Sequence, residues 1–383
     1  MSESIGGSDT PTAHNAAEGA GASKTRDSGS TYGVARNANE LRNLTCDGNA
    51  IAGVAKAAVA SIVVVQEINV PAMCQIVFDI GERWAQEDFD KFKPGAKLEL
   101  PSEGAKDALL APMYVSGMTL DASAGRVMLT VTAFDKMHFL RFGAYTTPFA
   151  KKSDAAIFEW VANSVTGLTL SVSELRAEPY PYVLQDNETR YDFLLRRCKQ
   201  ANYECMIETQ GGKEMLIVRS NHQGGSTFMT LAYKKDVEAI NLDMRVPTLG
   251  STVTSLGYNV SSGETDAGSC SSDSRRDKAM GNQTGFDVAS PFGSSPITLR
   301  RPDLNDASSL DYVSAAERAH HQHAFIEGTA TLRGVNLQAR AGINIRLVGT
   351  STSFDGPYYV VKSTHRFDRN NDVTALDLKR SAM

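Results

Sequence analysis

A chain of 383 residues is long enough for two or three domains of ordinary size, about 100 to 200 residues each. Its 39 basic and 44 acidic side chains leave a formal charge of −5, which argues against a surface built to neutralise phosphates, so stable nucleic-acid binding is not expected. The cysteines, Cys46, Cys74, Cys198, Cys205 and Cys270, contain no C-x-x-C pair, so neither a disulfide framework nor a zinc knuckle is encoded and synthesis in a reducing cytoplasm is expected.

The one apolar run, Ala50 to Val65, contains Gly53 and Lys56 and is shorter than the roughly 20 residues of a spanning helix, so no membrane insertion is expected. The N-terminus lacks a cationic start followed by an apolar core, and no Sec leader is expected. Residues 1–40 are dominated by Ser, Gly, Ala, Thr, Asp and Asn. Such a segment cannot bury enough surface to offset its ordering entropy, and reads as a disordered tail or as an arm that orders against a neighbouring subunit.

Order is expected from Leu41. Asp47-Gly48 favours a two-residue hairpin turn that takes up the start of the apolar run. Ser61 to Glu67 and Cys74 to Ile80 read as strands. A charged segment near 82–106, with Trp84, Phe89 and the turn Lys93-Pro94-Gly95, reads as a rim insertion. Strands resume at Met113 to Leu120 and Val127 to Phe134, where Val127, Leu129 and Val131 alternate with Met128, Thr130 and Thr132. Residues 41–149 form the first expected antiparallel β-barrel.

The pattern changes at Lys151. Ser153 is placed to cap a helix with Ile157, Trp160, Val161 and Val165 on one stripe, and Gly167 to end it. After a strand at Leu168 to Val172, Thr189 and Asp192 resemble a capping box for a helix whose apolar stripe is Tyr191, Leu194, Leu195 and Cys198. A hairpin, Tyr203 to Glu208 with Glu214 to Arg219, turns at Gly211-Gly212. Residues 150–224 are expected to be an α+β unit. From 225 to 383 a second barrel is expected, with a long exposed loop at 261–302, a helix near 310–325, and closing strands in which Tyr359, Val361 and Phe367 share one parity. The fold class is thus mainly β with an α+β insert.

Few side chains have catalytic spacing. Glu317, His320, His321 and His323 include an E-x-x-H pair without the second such motif a carboxylate-bridged metal site requires, so a solvated or interface helix face is favoured and no metal or cofactor is expected. His365 has no recognisable nucleophile beside it. Asp186 and Glu188 lie beside a helix N-terminus, where negative charge is favourable without any glycosidase role. Arg196-Arg197 with Lys199, and Arg275-Arg276 with Lys278, read as solvated basic surface or as contacts to acidic partners.

Val183 to Thr189 followed by Tyr191 to Leu194, including Asn187, Glu188, Phe193 and Leu194, resembles a helix start of the phage late-control D and VgrG tail-hub family. Phe354 to Val360, with Gly356 and Tyr358, and His365 to Phe367 are similar to that family's closing signature. The resemblance covers residues 41–383. It implies a non-enzymatic baseplate hub, a homotrimer in which two similar barrels per chain join a sixfold tail tube to a threefold spike, with tube, spike and baseplate wedge proteins as partners. The hub would be assembled from the cytoplasm into a phage-tail-like particle. No repetitive β-helix follows the last strand, so the needle is expected to be another polypeptide. Unpaired strands are expected to supply the subunit interface, with Val59 to Glu67 (Ile62, Val64, Gln66) and Thr254 to Val260 (Thr254, Leu256, Tyr258) as candidates. The alternatives are a carbohydrate-binding surface β protein, suggested by tyrosines and Gly/Ser-rich loops, and a metal-dependent hydrolase using the His320 cluster.

Overall fold

A computed structural model of the chain describes residues 43–81, 89–99, 110–123, 125–259, 262–273, 278–304, 306–368 and 372–383. The expected arm at 1–40, much of the segment at 82–106 including Trp84, the Arg275-Arg276 pair, Val260 and residues 369–371 of the last turn lie outside the described residues.

The first hairpin, β1 (Thr45–Cys46) and β2 (Asn49–Ala50), turns on Asp47 and Gly48 at φ 50° and 77°, the paired positive values that match strand twist. The apolar run then opens as a short helix, α1 (Gly53–Ala58), because its Ala-rich sequence favours helix until the β-branched residues begin. The strands β3 (Val59–Glu67) and β4 (Val70–Asp79) follow. Phe89 and Phe92 pack on Phe78 at ring distances of 5.7 and 4.9 Å, so the described end of the supposed rim segment contributes to the core. Next come β5 (Lys97–Glu99), β6 (Met113–Ser123) and β7 (Arg126–Phe134).

The mixed unit contains β8 (Tyr145–Lys152), α2 (Asp154–Asn163), β9 (Leu168–Ser173), β10 (Tyr180–Glu188), α3 (Arg190–Ala201), β11 (Tyr203–Gln210) and β12 (Lys213–Ser220). Ser153 caps α2 by accepting from the Ala156 amide. Thr189 caps α3: its hydroxyl accepts from Asp192 N at 3.0 Å and donates to the Asp192 carboxylate at 2.7 Å. Asn202 ends α3 at φ 51°, in the left-handed region that asparagine tolerates.

Beyond lie β13 (Thr227–Ala232), β14 (Val237–Met244), β15 (Val253–Asn259), β16 (Glu264–Cys270), α4 (Gly285–Ala289), β17 (Ile297–Arg300), α5 (Ala307–His323), β18 (Ile326–Arg333), β19 (Asn344–Val348), β20 (Gly356–Asp368) and β21 (Val373–Arg380). The stretch 261–302 is therefore not one long loop. Its small residues serve packing: a Cβ on Gly268 would stand 2.2 Å from Asp311 N of α5, and one on Gly257 would stand 2.2 Å from Leu304 O. Loop-like composition here lets a helix approach a strand pair closely.

The molecule is mainly β, and the two expected β regions are continuous. In one 13-stranded sheet the order is β14-β18-β21-β20-β3-β4-β7-β6-β5-β1-β2, with β19 also on β20 and β13 on β19. The link is antiparallel pairing of Ser61–Glu67 with Lys362–Asp368. A register shift between Val360 and Lys362 bends β20 and changes which parity is buried. Tyr358 and Val360 point into a core with Leu376 and Leu378, whereas Phe367 joins a second core with Ile62, Val64 and Ile76. The bulge corrects the expected shared parity of Tyr359, Val361 and Phe367. A third core joins α2, α3 and β11 to Leu310 and Val313 of α5.

Candidate assembly surface

From β14 to β6 the large sheet is a run of eight strands, every pairing of which is antiparallel. Alternation, reset at the register shifts, gives this run two chemically different faces. On one face Ile62, Ile76, Val131, Leu376 and Ala330 are buried in the cores. On the other, Gln75, Thr130, Thr132, Thr364 and Asp377 alternate with Val63, Val65 and Val77, all half-buried, and Thr329 is exposed. The run is thus a wall with a dry side backed by hydrophobic packing and a mixed, more polar side that is only half-buried over much of its extent.

Both ends of the wall carry backbone without a strand partner among the described residues. At one end β14 pairs only with β18. Its Ile240, Leu242 and Met244 pack only partly against the core. At the other end β5 covers β6 only at Met113 and Tyr114, leaving 116–123 with β7 alone. Met118 and Leu120 stand opposite the buried Val131 and Leu129, on the dry face. They are nonetheless 45% and 62% exposed, because the strand overhangs the core it faces.

Buried polar networks lock the mixed unit to this wall. Glu204 of β11 accepts from Arg219 Nε at 2.8 Å and from His222 N at 3.0 Å on one oxygen, and from the Tyr359 hydroxyl on the other. Arg219 also donates to Gly342 O at 2.7 Å. Burial pushes the Glu204 carboxyl above its usual range against the opposing pull of Arg219, and burial together with Glu204 raises the Tyr359 phenol. Lys136 and Glu214, both nearly buried, meet at 2.8 Å, and Tyr114 of β6 donates to the same carboxylate at 2.8 Å. A cavity of about 470 Å³ lies between Glu204, Tyr359, Cys198, Lys199, His320 and Lys379.

The expected interface strands are interior strands. Val59–Glu67 is paired on both sides, by β4 and β20, and Ile62 and Val64 face the first core with Gln66 half-buried beside Ser363. Val253–Asn259 lies between β16 and β17: Thr254 and Leu256 are paired on both sides, and Tyr258 is 49% exposed. Apolar runs look alike in central and edge strands, so sequence pattern alone does not separate them. Alternation of Met118 and Leu120 with Thr119 and Asp121 was the available signal for the overhanging strand.

The signature residues hold the fold. Asn187 makes a positive-φ turn at 47° and donates its amide to Thr146 Oγ1 at 3.1 Å. Glu188 accepts from Arg196 at 2.6 and 3.3 Å. Phe193 and Leu194 are fully buried, Phe193 stacking on Phe149 at 5.5 Å. At Gly356, φ is 146° and a Cβ would stand 2.7 Å from the Arg380 guanidinium. Tyr358 donates to Phe354 O at 2.8 Å. His365 is fully buried with Nδ1 3.0 Å from Thr374 Oγ1, and burial lowers its pKa to about 3.

His321 lies 3.4 Å from Glu317, and burial lowers the pKa of His320. Among the described residues no three or more potential ligands converge as a metal site, and no described helix is long and apolar enough to cross a membrane.

The family model described as the Alg8 N-terminal domain matches residues 39–368. No curated protein matches the chain. Among solved structures the chain is similar to the prophage MuSo2 43 kDa tail protein from Shewanella oneidensis, at 13% identity over 88% of this chain and 97% of that one, with a TM-score of 0.64. It is also similar to a tail protein from Neisseria meningitidis, at 12% identity over 84% and 92% with a TM-score of 0.62. A third likeness is to a type VI secretion system component from Escherichia coli, itself described as structurally similar to bacteriophage T4 tail proteins, at 11% identity over 84% and 73% with a TM-score of 0.53. At these identities the likeness is one of fold.

Proposed function

The chain belongs to the Alg8 N-terminal domain family, and from its tail-protein-like fold we propose that it is a structural baseplate hub of the late-control D type. In this role three copies form a ring between a sixfold tail tube and a threefold spike, and baseplate wedge proteins bind its periphery. The observation that carries the proposal is the eight-strand wall. Its dry face is covered by two cores of the same chain, and its polar face is left half-exposed. A tube must present water to what passes through it and hydrophobic packing to what supports it, and a two-faced antiparallel wall supports that reading. Two β regions joined edge to edge through β3 and β20 also suit a threefold ring that must offer six similar positions to a tube. The role is structural, and the particle is assembled from protein made in the cytoplasm.

The test is co-expression with tail-tube and spike proteins from the same source, followed by light scattering and imaging of the purified particle. Three copies per ring, with tube and spike retained on opposite faces, is the expected result. A chain that stays monomeric and retains neither partner overturns the proposal.

A further inference from the structure

In the mixed unit, the side of β11 turned away from β12 is left open over half its length. Gln210 and Lys213 close the two-residue turn at Gly211-Gly212, so the even-numbered residues of β11 bond to β12 and the odd-numbered ones direct their backbone groups outward. At Cys205 both outward groups are taken, the amide donating to Asn69 Oδ1 at 2.8 Å and the carbonyl accepting from Asn69 N at 3.0 Å. Asn69 thus imitates one residue of a partner strand, and the ladder stops there. The outward groups of Ile207 and Thr209 meet no strand among the described residues. They border a cavity of about 410 Å³ walled by Gln66, Ala72, Ala111, Asp135 and Arg340. We propose that this groove takes the segment Thr31–Arg36 of the chain's own N-terminal arm as an added strand on β11. The inference goes beyond the hub role and does not depend on it.

The groove defines its occupant chemically. Ile207 and Thr209 each present an N–H and a C=O on one side, which extended backbone pairs at strand spacing. Thr209 Oγ1 and Arg340 Nε, both shielded from water, have no hydrogen-bond partner among the described residues, a state that costs stability until a polar partner arrives. Glu208 meets Arg340 only at 3.9 Å, outside hydrogen-bond range, so its carboxylate is placed to take a closer cation.

The arm supplies these features within reach. Among residues 1–40, Thr31–Arg36 is the one stretch with two large apolar side chains at strand spacing: Tyr32 and Val34 share a parity with Arg36, opposite Gly33 and Ala35. No proline lies between Pro11 and Pro71, so every amide of the segment can donate. The walls divide the same way. On the Ile207 side the groove is closed by core packing with Ala111, which suits Gly33 and Ala35; on the other side Met206 and Glu208 are half-buried, which suits Tyr32, Val34 and Arg36. The described chain begins beside β1, which pairs with β5, which pairs with β6 at Tyr114, about 10 Å from first strand to last. The Tyr114 hydroxyl in turn meets Glu214, the residue opposite Thr209. The seven residues from Arg36 to Asn43 extend to about 25 Å, enough to cross β5 and β6 to β11.

The test is amide hydrogen exchange of Ile207 and Thr209 in the full chain, at a concentration where light scattering shows a monomer. Both amides are expected to exchange at least roughly tenfold more slowly than in a variant lacking residues 1–36, tenfold being the factor that one net hydrogen bond of ordinary strength supplies. Val34→Pro leaves every described residue untouched but removes a donor and the strand geometry, and is expected to speed both amides as the deletion does. Ala22→Pro, upstream of the segment, is expected to leave them slow. A synthetic peptide of residues 29–38 in excess is expected to restore protection to the deletion variant. Protection that survives the deletion or Val34→Pro, or that is lost in Ala22→Pro, overturns the assignment of this segment. Protection that appears only as the chain self-associates assigns the groove to a neighbour's arm and overturns pairing within the chain. None of these outcomes touches the hub role, which is decided by ring formation with tube and spike.

Discussion

Tyr359 donates its hydroxyl to the buried Glu204 carboxylate, a contact between side chains 155 residues apart that ties β20 of the wall to β11 of the mixed unit. Each partner is essentially inaccessible to water, so neither can exchange the contact for solvent. Tyr359→Phe keeps the packing and removes one donor from a buried acceptor, and is expected to lower unfolding free energy by about 1.5–3 kcal/mol. Glu204→Ala also deprives Arg219 of its carboxylate and is expected to cost about 3–5 kcal/mol. Urea unfolding of both single variants and the double variant measures the coupling. Additive losses would show that the two side chains do not act together.

Within the mixed unit, Asp154 and Arg197 form a second buried pair. Arg197 Nη2 and Nε lie 2.6 and 3.1 Å from Asp154 Oδ1, and the guanidinium lies 4.2 Å from the Tyr180 ring centre. Asp154→Ala leaves a buried cation without its counter-ion and is expected to destabilise by about 3–5 kcal/mol. Calorimetry of the purified variant checks this, and an unchanged melting temperature contradicts it.

Gly356 is required by two constraints at once. Its φ of 146° is a value side-chain-bearing residues rarely adopt, and the space for a Cβ is occupied by Arg380, which donates to Met280 O at 3.1 Å and Asp355 O at 3.0 Å. Gly356→Ala is expected to destabilise by about 1–3 kcal/mol through strain alone, and further if Arg380 is displaced. Thermal unfolding compares the variant with wild type, and equal stability would remove both constraints.

Two buried groups pull the pH dependence in opposite directions. His365 has its pKa depressed from 6.5 to about 3 by burial. The unfolded chain therefore takes up a proton that the folded chain refuses, and the stability His365 confers above pH 6.5 is lost as pH falls toward 3. Burial also raises Asp135 from 3.8 to about 7, although the Ala72 and Met137 amides both donate to its carboxylate at 2.9 Å. Its contribution is present below pH 3.8 and lost as pH rises through 7. In unfolding midpoints measured from pH 4 to pH 8, His365→Gln is expected to flatten the acid side and Asp135→Asn the neutral side. Profiles parallel to wild type would show that neither group governs the dependence.

Much of the local structure was legible because it rests on contacts within a few residues. Asp47-Gly48, Ser153, Thr189, Asn202 and Gly211-Gly212 make turns and caps whose geometry their own side chains dictate. The misread places depended on distant partners. Small residues near Gly268 look like loop until α5 is seen against them. The parity of β20 looked uniform because its bulge is defined by the register of β21, beyond the turn. Thr254 and Ile62 looked like edge residues because apolar alternation reports a buried face but not which neighbour supplies the hydrogen bonds.

The amino-acid sequence by itself determined the mainly β character and the turns that separate the strands, since alternation and turn chemistry act over short range. Only the tertiary structure decided that the two β regions are one sheet joined through β3 and β20, and that among the described residues β14 and the 116–123 end of β6 pair on one side only. The physical reason is that a strand's backbone donors and acceptors are nearly the same in every sequence. Pairing is selected by the packing of whole faces across hundreds of residues, and the edges are what that packing leaves uncovered.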